Sequence, residues 1–162
     1  MQYASSREHV VSMCRTMLDR GFLKATEGNV SVRIPGRRLY AVTPSNYGYE
    51  KMRAEDICVV DFDGHPVEVD GGSTLAPSVE AALHATIYRE RPDTNAIVHT
   101  HQPFASALSY LRRPIPALSD EQSRFLGGEI PIVDYAPAAT GFLPTAMRKK
   151  LGTGGNAYLL AN

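Results

Sequence analysis

Two histidines separated by one residue carry the strongest chemical signal in this sequence. His99 and His101 follow the apolar residues Ile97 and Val98. Residues two apart in a β-strand point to the same face of the sheet, so both imidazoles can reach one point. Neutral imidazole is a common ligand for zinc and related divalent metals. The pattern indicates a metal site, although paired histidines also occur as ordinary surface residues of a strand.

A second cluster lies upstream and contains a carboxylate. Ser78 is predicted to begin a helix that runs to about Arg91, which places Glu80 in the first turn. The dipole and free N–H groups there favour an anion, so Glu80 could ligate a metal and act as a base once substrate displaces it. An ordinary first-turn glutamate has the same pattern. His84 shares the helix face of Glu80. It could be a ligand, but packing against Glu80 or orienting it is the interpretation we favour.

Three polar loops could bind an anion. They contain Gly28-Asn29, Ser45-Asn46 and Ser78. Small residues at such junctions let backbone N–H groups approach an anion, and Ser78 adds a hydroxyl at a helix N-terminus. Each loop alone is typical of a turn or cap. They indicate an anion site only if the fold brings them together.

The composition indicates a globular protein and excludes several function classes. The chain has 162 residues, a formal net charge of zero and 43% hydrophobic residues. We therefore expect no nucleic-acid or membrane partner, and no stretch is apolar enough to span a membrane. Cys14 and Cys58 lie far apart in apolar patterns, which is typical of buried free thiols in a reducing compartment. Since the N-terminus lacks a signal peptide, we expect a cytoplasmic protein.

The order of predicted elements indicates an α/β fold with a mixed or largely antiparallel sheet. One helix follows Ser5 or Ser6 and stops at Gly21, and further helices are predicted over 78–91, 104–110 and 145–151. Strands are predicted over 30–34, 39–43, 57–62, 66–69, 96–101, 130–133 and 157–160.

Several motifs occur in a fixed order along nearly the whole chain. They are Thr26-x-Gly28-Asn29-Val30-Ser31-Val32-Arg33, Thr43-Pro44-Ser45, Pro77-Ser78-x-Glu80-x3-His84, Arg91-Pro92-Asp93-x-Asn95-Ala96-Ile97-Val98-His99-Thr100-His101, Leu126-Gly127-Gly128-Glu129-Ile130-Pro131 and Asn156-Ala157-Tyr158-Leu159-Leu160-Ala161-Asn162. In this order they resemble the class II aldolase/adducin head family. The resemblance implies a single domain over residues 1–162 with an αβα-type layered fold and a mainly antiparallel central sheet. It also implies a homotetramer with active sites between subunits.

The resemblance also implies roles for individual residues. Zinc, or another divalent metal, would be held by His99, His101 and a third histidine, with Glu80 as a further ligand or the catalytic acid/base. Substrate phosphate would be bound by residues of the three loops, namely Gly28, Asn29, Ser45, Asn46, Ser78 and Val79. A neighbouring subunit would supply a second proton donor, Asp120 or Glu121. The third histidine would follow Asn162, so we expect the chain to lack its C-terminal segment.

The sequence departs from the family pattern near the expected phosphate. Asn46 and Val79 stand where relatives often carry glycine and serine, and Glu27 stands where they often carry a small residue. Val79 removes a hydroxyl donor, and Glu27 adds a negative charge that would repel an anion. Epimerase relatives usually carry aspartate at the position of Glu80, so the glutamate argues against epimerisation.

Together these features predict a zinc-dependent carbon–carbon lyase of the aldolase type. It would cleave a ketose phosphate or a related hydroxy-oxo compound through a metal-bound enediolate. Decarboxylation of an oxo-sugar acid would use the same enediolate, so both reactions stay open. A non-catalytic assembly domain like that of adducin is the other alternative. Such domains usually lose the metal histidines, whereas this chain keeps His99, His101 and Glu80.

Overall fold

The computed structural model describes residues 1–137, 140–152 and 155–161. The chain divides into two compact units, Met1–His101 and Gln102–Asn162. Within the described residues, no helix is long and apolar enough to cross a membrane. The first unit contains α1 (Ala4–Asp19), β1 (Asn29–Arg33), β2 (Leu39–Val42), β3 (Cys58–Asp61), α2 (Ala81–Glu90) and β4 (Ala96–His99).

The four strands of the first unit form one antiparallel sheet in the order β3-β2-β1-β4. The chain folds β1, β2 and β3 as successive neighbours, and β4 returns to pair with the free side of β1. In this register Asn29 lies opposite His99, and Ser31 lies opposite Ile97. The predicted α/β class with a mainly antiparallel sheet is confirmed.

The two helices cover opposite faces of this sheet because its strands alternate. Val30 and Val32 of β1 pack with the α1 residues Val10 and Cys14. On the other face, Ser31 hydrogen-bonds to side chains of α2. Residues two apart in a strand share a face, so Asn29, Ser31 and Arg33 all lie on the α2 side. The first unit is thus an αβα layered structure, as predicted.

An aromatic cluster forms the core beneath α2. The Phe62 and Tyr88 rings stack with their centroids 5.7 Å apart, and Tyr40 lies 5.1 Å from Tyr88. The Arg33 guanidinium packs over two rings of this cluster. Its guanidinium carbon lies 4.8 Å from the Phe62 centroid and 4.9 Å from the Tyr88 centroid.

Both cysteines are free and buried, as predicted. Burial raises the pKa of Cys14 to about 12 and that of Cys58 to about 11. The protonated thiol is a poor nucleophile, so both side chains act as small apolar groups in the core.

The second unit contains α3 (Pro103–Tyr110), α4 (Asp120–Leu126), β5 (Ile132–Val133), α5 (Phe142–Leu151) and β6 (Leu159–Leu160). β5 and β6 pair in parallel. The sequence prediction omitted α4, although its two end signals are present. Ser119 accepts a hydrogen bond from the Gln122 amide at the start, and Gly127 ends the helix with a φ of 89°.

Several predicted boundaries were wrong. No strand forms over 66–69, where Pro66 makes only an isolated bridge with Val60, flanked by bonds from the Asp61 amide to the His65 carbonyl and from the Val67 amide to the Val59 carbonyl. β4 ends at His99 and not at His101, and the helix predicted from Ser78 begins at Ala81. The other elements differ from prediction by one to three residues at an end.

Replacing Arg33 with methionine should destabilise the first unit. Its Nε donates to the Thr94 carbonyl at 2.7 Å, and its Nη2 donates to the carbonyls of Tyr88 and Arg91 at 2.9 and 3.0 Å. These bonds satisfy carbonyl groups at and beyond the end of α2. Their loss should lower the free energy of unfolding by about 2–4 kcal/mol, measured by urea unfolding.

Arg38→Met is the matched control. Arg38 is exposed and lies 5.3 Å from the Phe62 ring. Its replacement should cost less than about 1 kcal/mol. Equal losses in the two variants would contradict a capping role for Arg33.

Candidate active site

Glu80 lies immediately before α2 and not in its first turn as predicted. The helix begins at Ala81, and Glu80 is the N-cap residue with φ −94° and ψ 9°. Ser78 forms the turn that leads into α2. Its Oγ accepts a hydrogen bond from the Glu80 amide at 3.3 Å, and its carbonyl accepts one from the Ala81 amide at 2.9 Å. The carboxylate nevertheless stays at the positive end of the helix dipole, where an anion is favoured.

One hydrogen bond joins the strand β1 to this carboxylate. Asn29 Nδ2 donates to Glu80 Oε2 at 2.7 Å. The Asn29 residue is only 4% exposed, and the Glu80 side chain is 11% exposed. Competing water is therefore largely excluded, and the bond fixes the orientation of the carboxylate.

The Nε2 atom of His99 lies close to both His101 and Glu80. The Nε2 atoms of His99 and His101 lie 3.0 Å apart, with the ring planes at 86° to each other. His99 Nε2 lies 3.6 Å from Glu80 Oε2. His101 follows the strand instead of belonging to it, because its neighbour β1 begins at Asn29, opposite His99, and offers no partner further along.

The electrostatics of His99 suit a metal ligand. Burial lowers its pKa, the nearby His101 lowers it further, and Glu80 opposes both effects. A neutral imidazole presents a lone pair, and two nitrogens 3.0 Å apart either share a proton or face a common cation. The donor set of two imidazoles beside a carboxylate fits a divalent transition metal.

The metal site is nevertheless incomplete in the part of the chain that the structure describes. There, no group of three His, Cys, Asp or Glu side chains is arranged to hold a metal ion. The third histidine that the resemblance implies would follow Asn162, which lies outside the described residues. The roles of Glu80, His99 and His101 as ligands stay predictions.

Backbone hydrogen bonds bring the three polar loops side by side. The Thr43 amide donates to the Val30 carbonyl at 3.0 Å, and the Ser78 amide donates to the Thr43 carbonyl at 3.0 Å. The Ser45 amide donates to the Ala76 carbonyl at 2.9 Å. These bonds link the loop after β2 to both other loops. The structure thus meets the condition for an anion site, while anion binding itself stays a prediction.

Backbone conformation explains one departure from the family pattern. Asn46 has a φ of 51°, in the left-handed region that asparagine tolerates better than most side chains, so it can replace a glycine. Gly28 is more restricted, because a Cβ there would collide with the His99 carbonyl oxygen. Val79 and Glu27 are exposed, and neither side chain carries a hydrogen-bond donor for an anion.

A buried polar chain lies beside the Asn29–Glu80 bond and was missed from the sequence. His84 Nδ1 lies 2.7 Å from Ser31 Oγ, which lies 2.8 Å from the Tyr88 hydroxyl. Alternation in β1 places Ser31 on the same face as Asn29, and this was the available signal. The bond to Ser31 supports our interpretation that His84 packs instead of ligating, while an orienting effect on Glu80 stays a prediction.

The predicted second proton donors lie in the second unit. Asp120 and Glu121 occupy the first turn of α4, and both are exposed. Their position is suited to carboxylates, since the free N–H groups of the first turn stabilise negative charge. Their participation in catalysis stays a prediction.

Comparisons with known proteins extend the resemblance. The family described as class II aldolase and adducin N-terminal domain matches residues 8–162. A probable L-ribulose-5-phosphate 4-epimerase from Mycoplasma pneumoniae is 40% identical over 111 residues, 68% of this chain and 45% of that protein. An L-fuculose phosphate aldolase from Escherichia coli O6:H1 is 36% identical over 131 residues, 81% of this chain and 58% of that protein.

A solved structure of L-fuculose 1-phosphate aldolase is similar over all of this chain. Its TM-score is 0.89 and its identity is 30%, and the match covers 100% of this chain and 74% of that chain. The curated relatives are longer, and this chain spans about half of their length.

The burial of His84 predicts a loss of stability in acid. Burial, with a smaller contribution from His99, lowers the pKa of His84 from 6.5 to about 3. Between these values the unfolded chain binds a proton that the folded chain does not. Stability should therefore fall as pH drops through this window, by up to about 1.4 kcal/mol per pH unit from this group.

Chemical unfolding at pH 4.5 to 7.5, in EDTA, checks this expectation. His84→Gln should show a shallower dependence on pH than the unmodified protein, because glutamine does not titrate. His65→Gln is the control, since the His65 side chain is 77% exposed. Parallel pH profiles for the unmodified and His84→Gln proteins would contradict the prediction.

Proposed function

Because the chain belongs to the class II aldolase and adducin N-terminal domain family, we propose that it is a metal-dependent lyase of the aldolase type. It cleaves a carbon–carbon bond in a ketose phosphate or a related hydroxy-oxo compound. The observation that carries this proposal is that His99 Nε2 lies beside both His101 and Glu80, with Asn29 fixing the carboxylate. An assembly domain has no need of such a set.

The two imidazoles are the proposed metal ligands, with zinc as the preferred ion. A bound divalent ion would act as a Lewis acid toward the carbonyl and adjacent hydroxyl oxygens of the substrate. Glu80 moves the proton at the reacting carbon. Since Asn29 and His99 both lie at Oε2, we assign proton transfer to Oε1.

The proposed cleavage needs two proton-transfer groups. One removes the proton from the substrate hydroxyl, the carbon–carbon bond breaks, and its electron pair remains on the carbon next to the carbonyl. Glu80, which must hold a proton at this point, then gives it to that carbon and is left as the carboxylate, while the first group keeps the hydroxyl proton. We propose Asp120 or Glu121 of a neighbouring subunit for the first role, within a homotetramer.

The free buried thiols of Cys14 and Cys58 suit a reducing compartment such as the cytoplasm.

The adjoining loops are proposed to bind the substrate phosphate. Backbone N–H groups of these loops, apart from the Ser45 and Ser78 amides that bond the Ala76 and Thr43 carbonyls, would donate to its oxygens, with the side chains of Asn29 and Ser45 nearby. The bonds that join these loops support the proposal.

Decarboxylation would use the same electron flow, and one relative is named as an epimerase. Assays should therefore follow the release of aldehyde, of carbon dioxide and of an epimer.

Metal analysis of the full-length protein tests the ligand assignment. We expect about one zinc ion per chain, and loss of most of it in His99→Asn and in His101→Asn, because each variant removes one imidazole ligand. His65→Asn should retain the metal, since His65 pairs with Asp61 on the surface. Full zinc content in the His99 and His101 variants would refute the assignment.

Glu80→Gln should lower kcat roughly 10²- to 10⁴-fold, the range for a lost acid/base.

Glu27 tests the phosphate site. Inorganic phosphate should inhibit competitively, and Glu27→Ser should bind phosphate about 3- to 10-fold more tightly because a nearby negative charge is removed. Calorimetric titration measures both affinities. Glu68→Ser, at an exposed carboxylate on another loop, is the control and should leave the affinity unchanged. Equal affinity in the Glu27→Ser and unmodified proteins would show that Glu27 does not tune the site.

A further inference from the structure

The turn formed by residues 24–28 holds two residues in the left-handed backbone region. Ala25 has a φ of 47° and Gly28 has a φ of 80°. The Glu27 amide donates to the Lys24 carbonyl at 2.8 Å, which closes the turn. Glycine adopts this region freely, whereas the Cβ of alanine makes it unfavourable. An alanine persists there only where surrounding contacts impose the conformation.

Tyr49 supplies such contacts at both ends of the turn. Its backbone amide donates to the Ala25 carbonyl at 3.4 Å, and its hydroxyl donates to the Gly28 carbonyl at 2.6 Å. The residue is 3% exposed and packs in the core cluster that includes Val10 and Cys14. A buried aromatic ring packed against α1 is a rigid support, so both bonds act from the core on the turn.

The Gly28 carbonyl, which accepts the bond from the Tyr49 hydroxyl, belongs to the residue directly before Asn29. Asn29 lies opposite His99 and donates to Glu80, so its position matters to the proposed site. Gly28 passes so close to the His99 backbone that even a Cβ would collide with the carbonyl oxygen. A small movement of the turn would therefore shift both the Gly28 peptide and the Asn29 amide.

We propose that Tyr49 is a positioning residue for the loop that binds the substrate phosphate. It does not touch substrate. It holds the strained turn so that the N–H groups around Gly28 and the Asn29 side chain keep the geometry that recognises phosphate oxygens. This inference rests on the proposed function for the identity of the anion, and it assigns no chemistry to Tyr49.

Tyr49→Phe removes only the hydroxyl and is the main test. The dissociation constant for inorganic phosphate, measured by calorimetry on the full-length protein, should rise about 5- to 20-fold, as expected for one lost hydrogen bond to the loop. Hydrogen exchange of the Glu27 amide should become faster in the same variant. Ala25→Gly removes the strain, so adding it to Tyr49→Phe should restore part of the phosphate affinity.

Tyr40→Phe is the matched control. Tyr40 is fully buried, and its hydroxyl donates to the Ala81 carbonyl at 2.7 Å, in the other core cluster. This variant should lose comparable thermal stability but keep the phosphate dissociation constant within about twofold. Equal weakening of phosphate binding in both variants would overturn the proposal, because it would reflect general destabilisation.

The outcomes separate this inference from the proposed function. If the unmodified protein binds phosphate and Tyr49→Phe binds it equally well, the positioning role is overturned while the lyase proposal stands. If the unmodified protein does not bind phosphate, the phosphate part of the proposed function fails. The positioning role in phosphate binding is then overturned as well, and faster exchange of the Glu27 amide in Tyr49→Phe would show only that Tyr49 holds the turn.

Discussion

The hydrogen bond from Asn29 to Glu80 is the interaction on which the proposed site depends. It joins a strand to the residue that immediately precedes a helix, two elements separated by about half of the first unit's sequence. Asn29 is also the residue that faces His99 in the sheet. One residue therefore links the carboxylate, through its side chain, to the strand position that carries the imidazole. The surrounding layers keep water from competing for this bond.

The layered packing supports this interaction from both faces. On one face α1 and the Tyr49 ring pack against β1, and on the other Ser31 and His84 hydrogen-bond beneath α2. The same strand thus alternates between apolar residues that fix its position and polar residues that reach the helix. Substitution of a valine on the α1 face could affect the site without any contact with it.

Much of the fold and the site could be predicted from local patterns. The spacing of His99 and His101 predicted convergence, and alternation in β1 predicted a strand. What local patterns could not show was the partner of each element. The Asn29–Glu80 bond and the Ser31–His84 bond depend on a strand order that no short motif encodes. His101 lies beyond the strand because pairing ends where β1 ends, and Glu80 precedes the helix because the Ser78 turn comes first.

The pairing of β1 with β4 makes the histidine site an all-or-none feature. Side chains alternate along a strand, so a slip of one residue would place Val98 or Thr100 opposite Asn29 and turn His99 to the other face. No intermediate register exists in which the imidazole is partly displaced. Damage that shifts this register would therefore reduce the fraction of molecules with the proposed site and leave the site of the remainder intact. Titration of active sites, and not rate alone, would be the proper measure of such damage.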